Sequence, residues 1–153
     1  LFPETYQVPP TITEQELIDL MIETFDVKTA PFQEEIADFG ESINDVIVMA
    51  SIIEEEGKSS ADRLIISGVL WNRIAIDMPL QVDAAFAKVP QAEGRNTYEL
   101  LLDDLKADSP FNTYTNRGLP PAAITNPGLD SILAAIRPQP SQYFFYVLFK
   151  PIT

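Results

Sequence analysis

Apolar positions concentrate between Asn44 and Gly57, NDVIVMASIIEEEG, where Val46, Met49, Ala50 and Ile53 recur at the i, i+3, i+4, i+7 spacing of one helix face. Ile47, Val48 and Ile52 fill the other sides, and a helix that is apolar nearly all round is a buried one. Ser42, Asn44 and Asp45 suit its start, and Gly57, able to take the left-handed conformation, suits its end. Glu54, Glu55 and Glu56 therefore fall in the last turn of a central buried helix.

Weaker periodicities surround it. Pro3, Pro9 and Pro10 keep the first ten residues extended. Thr13 and Glu16 form a capping box ahead of an amphipathic helix through Leu17, Ile18, Leu20, Met21 and Ile22 to about Asp26. A short helix opened by Pro31 is expected between 29 and 39. Ser59 or Ser60 caps a helix through Leu64, Ile65, Ile66, Val69, Leu70 and Trp71 to about Ile76, with Gly68 marking close approach of another backbone. Asp77, Met78 and Pro79 break it, and LQVDAAFA runs extended into a short helix. Thr97 caps TYELLLDDLKA, residues 128–136 form a last helix, and residues 143–149 read as a strand. Between 108 and 128 the chain carries four prolines, two glycines and three asparagines. Phe111, Tyr114, Leu119 and Ile124 make this an ordered, packed loop, and irregular loops of that length in a compact domain are usually functional. The fold class expected is a single α+β domain over 1–153, mostly helical, with a small amount of strand.

Composition narrows the chemistry. Ten basic against 23 acidic residues give a formal charge of −13, which argues strongly against a nucleic-acid backbone or an anionic membrane as partner. With no histidine and no cysteine, His-based triads, thiol nucleophiles, iron–sulfur ligation and most zinc sites are excluded. No apolar run approaches the roughly 20 residues that span a bilayer. The sequence begins LFPETY, without methionine, and reads as a portion of something longer.

Carboxylates remain. At the carbonyl end of a helix, three adjacent glutamates repel one another and meet partial negative charge, both of which favour the protonated form. Successive residues point about 100° apart, so at least one faces a cleft or the interior. A carboxylic acid that keeps its proton is what glycosidic cleavage requires, and periodicity does not say which of the three it is. Asp83 is the best second carboxylate, with a helix-capping role as the alternative. The loop from Phe111 to Tyr114 has the character of a sugar subsite, with Asn112 and Thr113 to bond hydroxyls and acetamides and an aromatic face to cover a ring; the alternative is that Phe111 and Tyr114 pin the loop to the core. Arg73 can hold a substrate carboxylate, or pair with one of the glutamates, which is the expectation. A hard-metal site built from Glu54, Glu55, Glu56 and Asp83 is disfavoured, since consecutive glutamates diverge and no D-x-D-x-D-G loop is present.

Eight pieces in order carry a resemblance: LFPETY, ASIIEEEG at 50–57, the Asn72–Arg73 pair, M-x-LQ-x-D from Met78 to Asp83, SPFNTY at 109–114, GLPP at 118–121, NPG at 126–128 and SI-x-AA at 131–135. Together they resemble the catalytic domain of the endolytic murein transglycosylases, the MltG (YceG-like) family. The resemblance implies cleavage of peptidoglycan between N-acetylmuramic acid and N-acetylglucosamine, leaving a 1,6-anhydro end, with no metal and no cofactor. It places the catalytic acid and base on Glu54, the first glutamate of the family's E-x-E pair, and substrate binding on Glu56, Gln81, Asp83, Asn112, Thr113 and Tyr114. Ala84 and Ala85 depart from the Pro and hydroxyl residue common after this aspartate. The resemblance also implies glycan strands as partner, cell-wall synthases such as penicillin-binding proteins as further partners, and an extracytoplasmic position. The membrane anchor and LysM-like portion that it implies would precede Leu1. From another class, a catalytically silent glycan-binding or scaffold domain would use the same cleft.

Overall fold

The structure is a computed structural model that describes residues 1–92 and 102–147. Of the helix expected over 97–107, residues 97–101 lie outside them, and 102–107 form a turn and the short 3-10 helix Asp104–Lys106 in place of an α-helix. Among the described residues five α-helices run in order: α1 (Glu14–Thr29), α2 (Gln33–Asp38), α3 (Ile43–Glu56), α4 (Ser60–Ala75) and α5 (Leu129–Ile136), with 3-10 turns at Ala30–Phe32, Asp83–Lys88, Pro90–Ala92 and Asp104–Lys106. No helix among the described residues is long and apolar enough to cross a membrane.

The centre is α3, packed on α5 and α4. Val46, Val48, Met49, Ala50, Ser51, Ile52 and Ile53 are all buried, on every side of the helix, as its unbroken apolar pattern requires. Each large side chain so buried contributes about 1.5–3 kcal/mol, which makes α3 the main apolar support of the domain. Ser42 caps it, accepting the Asp45 N–H at 3.1 Å. Its end differs from expectation: Gly57 is extended (φ −90°), not left-handed. Glycine is required there because a Cβ would lie 2.4 Å from Arg63 Cγ, where the Arg63 side chain crosses the turn.

The two capping boxes follow the sequence: Thr13 with Glu16 opens α1, and Ser59 with Asp62 opens α4. Gly68 in α4 admits the backbone of Gln139, whose carbonyl oxygen would be 2.1 Å from a Cβ at that position. Gln139 N–H donates to Leu64 O at 2.9 Å. The 108–128 loop is ordered against the core through Phe111, Leu119 and Ile124, and the buried Ser51 hydroxyl accepts the Ile124 N–H at 3.0 Å.

The expected strand is corrected. Residues 143–147 have the period-2 alternation of a strand, with Tyr143, Phe145 and Val147 exposed and Phe144 and Tyr146 turned toward the domain, but no strand occurs among the described residues. Side chains of α4 take the place of a neighbouring strand. Asn72 Nδ2 donates to the carbonyls of Ser141 and Tyr143 at 3.0 and 2.9 Å, and Arg73 Nε donates to that of Phe144 at 2.7 Å. The described fold is helical, with this segment laid along α4.

Candidate active site

The three glutamates diverge as successive helical residues must. Glu55 is exposed. Glu54 turns toward α4 and α5: Oε1 lies 3.2 Å from Arg63 Nη2, and Oε2 accepts the Gly128 N–H at 3.0 Å. Gly128 is the N-cap of α5, where a carboxylate also meets the positive end of the helix. Arg63 reaches on to Asp130 at 2.7 Å, so Glu54 joins the end of α3 to the starts of α4 and α5.

Glu56 turns the other way, into a cleft of about 190 Å³ lined by Glu56, Arg73, Gln81, Val82, Asp83 and Tyr146. Burial raises its carboxyl above the usual range, and the charges of Asp83 and Glu55 push in the same direction, against hydrogen bonds from Tyr146 and the Ala84 N–H. Tyr146 Oη donates to Oε2 at 3.0 Å. The Tyr146 hydroxyl is itself pushed up, by burial and then by Glu56.

The opposite wall comes from the segment after α4. Asp77 (φ 57°) and Gln81 (φ 49°) both take the left-handed region, turning the chain twice. For a non-glycine residue each such turn costs roughly 1–2 kcal/mol, and the Gln81 turn is held by its N–H donating to Thr113 O at 3.0 Å. Thr113 Oγ1 accepts the Val82 N–H at 3.0 Å and donates to Val82 O at 3.1 Å. Asp83 is thereby set beside Glu56, and Tyr114 Oη donates to Asp83 Oδ1 at 2.5 Å. Burial and this bond raise the Tyr114 hydroxyl.

Of the residues singled out from the sequence, Glu56, Gln81 and Asp83 line one cleft, and Tyr114 stands behind Asp83. Asn112 and Thr113 do not line it. Both are buried, at 0% and 3% exposure, and bond the backbone that shapes the wall. Asn112 Nδ2 donates to Leu105 O and Ala107 O at 3.1 and 2.8 Å, and Oδ1 accepts the Tyr114 N–H at 3.0 Å. Asn112→Ala leaves these groups without their partner in the interior, and thermal or urea unfolding is expected to show a loss of about 2–3 kcal/mol. Arg73 does not pair with a glutamate among the described residues. It is buried, bonded to the carbonyls of Phe144 and Leu80, with its guanidinium 5.0 Å from the Phe145 ring centre. Tyr146 was not singled out, and its only signal was the alternation that turns 144 and 146 to one side. Among the described residues no group of three or more acidic side chains converges as a metal site would.

This arrangement can deliver and retrieve a proton at a partly enclosed polar cleft. The sequence model of the YceG-like family matches residues 1–151. The chain belongs to the YceG-like family. Its relatives include proteins named endolytic murein transglycosylase from Bacillus subtilis (strain 168), 36% identical over 96% of this chain and 40% of that protein, and from Streptococcus pneumoniae (serotype 2, strain D39 / NCTC 7466), 35% identical over 96% of this chain and 27% of that protein. The crystal structure of a YceG-like protein from Listeria monocytogenes superposes with a TM-score of 0.86 at 36% identity, covering 97% of this chain and 48% of that one. The YceG-like chain described here thus spans between about a quarter and a half of the length of these relatives.

Proposed function

We propose that this YceG-like domain is an endolytic transglycosylase of peptidoglycan glycan strands, with Glu56 as its general acid and then its general base. The observation that carries the reading is the part-buried Glu56 carboxyl, held above its usual range, in a cleft whose opposite wall carries Gln81 and Asp83. Glu56 gives its proton to the glycosidic oxygen between N-acetylmuramic acid and N-acetylglucosamine as that bond breaks. The resulting carboxylate takes the proton of the muramyl C6 hydroxyl while O6 bonds to C1, which closes the 1,6-anhydro ring and restores the acid. No water enters the balance. The Asp83 carboxylate faces the positive charge that develops at the ring, and Gln81 offers an amide to hydroxyl or acetamido groups.

This reading moves the acid from Glu54, where the resemblance places it, to Glu56. Glu54 already spends both oxygens on Arg63 and Gly128, on the side of α3 away from the lining residues. Asn112 and Thr113 act by shaping the wall rather than by touching sugar. The substrate places the domain on the extracytoplasmic face of a bacterial membrane, where cell-wall synthases act on the same strands.

The test is mass spectrometry of purified glycan strands incubated with the chain. Fragments with anhydro ends are expected. Reducing ends would make it a hydrolase, and binding without any cleavage would make it a glycan-binding module; either result overturns the proposal.

A further inference from the structure

The segment from Ser141 to Tyr146 is held along α4 on its way to the cleft. The side chains of Asn72 and Arg73, at the end of α4, take three carbonyls between Ser141 and Phe144. Alternation then turns Tyr146 inward, 90 residues from Glu56 in sequence, with its hydroxyl 3.0 Å from Glu56 Oε2. A hydroxyl has one proton to give, and this one is given to Oε2.

We propose that Tyr146 is a positioning residue for Glu56, fixing Oε2 as an acceptor so that the acid presents its proton from Oε1 toward the cleft. The proposal rests on the reading of Glu56 given above and adds a residue to it. The other charged and titratable groups facing Glu56 are Asp83 from the 3-10 turn, Tyr114 behind it, Arg73 from α4 and Glu55 on its own helix, and the Ala84 N–H also bonds its carboxyl. Asp83 and Glu55 favour the protonated acid; the Tyr146 bond opposes them and limits the rise. Tyr146 therefore does two things at once. It aims the carboxyl, and it keeps the proton loose enough to leave.

The experiment is a side-chain carboxyl ¹³C NMR titration of the whole chain, with the Glu56 resonance assigned by its loss in Glu56→Gln. Tyr146→Phe keeps the ring and removes the donor. The Glu56 midpoint is expected to rise by roughly half to one pH unit, and the alkaline limb of glycan cleavage to move up with it. Turnover should fall several-fold with little change in KM, since the ring that lines the cleft is kept and the hydroxyl removed is engaged with Glu56. Tyr143→Phe, on an exposed side chain of the same segment, should move neither. A folded Tyr146→Phe with an unmoved midpoint overturns the proposal. A 3-fluorotyrosine at 146, the same shape with a stronger donor, should lower the midpoint and supplies the test if the Phe variant does not fold; an unmoved midpoint there also overturns it. If the midpoint moves but Glu56→Gln still cleaves glycan, the bond stands while the catalytic reading of Glu56, and Tyr146's part in it, fails.

Discussion

Glu56→Gln is expected to lower glycan cleavage by roughly 10²–10⁴-fold, the usual contribution of a positioned acid and base, while Glu54→Gln stays within a few-fold of the parent. The reason is where each side chain goes. Glu56 lies in the cleft beside Asp83, whereas Glu54 is an internal tie to Arg63 and to the N–H of Gly128, the N-cap of α5. Stability should move in the opposite sense. A carboxyl raised above its ordinary value of 4.5 by burial contributes stability that is complete below that pH and lost as pH rises through the folded value. At pH 7 the parent carries that cost and Glu56→Gln does not, so the variant should melt higher at neutral pH and lose this advantage near pH 4. Glu54→Gln gives up a half-buried ion pair and should melt lower by roughly 2–4 °C, for about 1 kcal/mol in a chain of this size. Melting curves and initial rates on both variants decide the matter. If cleavage is lost in Glu54→Gln and kept in Glu56→Gln, the assignment is reversed.

Gly68→Ala should be the most damaging change of a single methyl in the domain. The added carbon would sit 2.1 Å from Gln139 O, a backbone atom that cannot swing aside as a side chain can. Either α4 bends or the chain around Gln139 lifts from it, and overpacking of this kind costs roughly 1–3 kcal/mol, a drop of roughly 2–12 °C in melting temperature. Lifting also carries Tyr146 away from Glu56. Differential scanning calorimetry combined with the cleavage assay should therefore show stability and turnover falling together. A variant that melts lower but cleaves at the parent rate would show that the segment moves independently of its anchor at Gln139.

The elements with strong local signals were legible in the sequence. The capping boxes at Thr13 and Ser59, the all-round apolar α3 and the close approach at Gly68 each have one local physical cause, and the structure contains all of them. So was the divergence of the glutamates, which follows from helix geometry alone. What was not legible depends on contacts between distant parts of the chain. Which glutamate meets a cleft is set by Asp83 and Tyr146, 27 and 90 residues further on than Glu56, and no periodicity records that. The alternation at 143–147 correctly implies two unlike faces, yet a strand also needs a neighbouring strand, and Asn72 and Arg73 supply side-chain donors in its place. Asn112 and Thr113 were read as sugar contacts because amides and hydroxyls suit sugars. They suit loop carbonyls and N–H groups equally well, and in the structure both side chains are buried on such groups.

The hold of Tyr146 on Glu56 also sets a timetable. A ribosome finishes α3 long before it reaches residue 146, and until then the acid lacks the donor that aims it. Long-range closures of this kind form late in folding. If Glu56 is the acid, a nascent domain would reach full cutting power only when residues 141–147 settle along α4, well after α3 itself has been made.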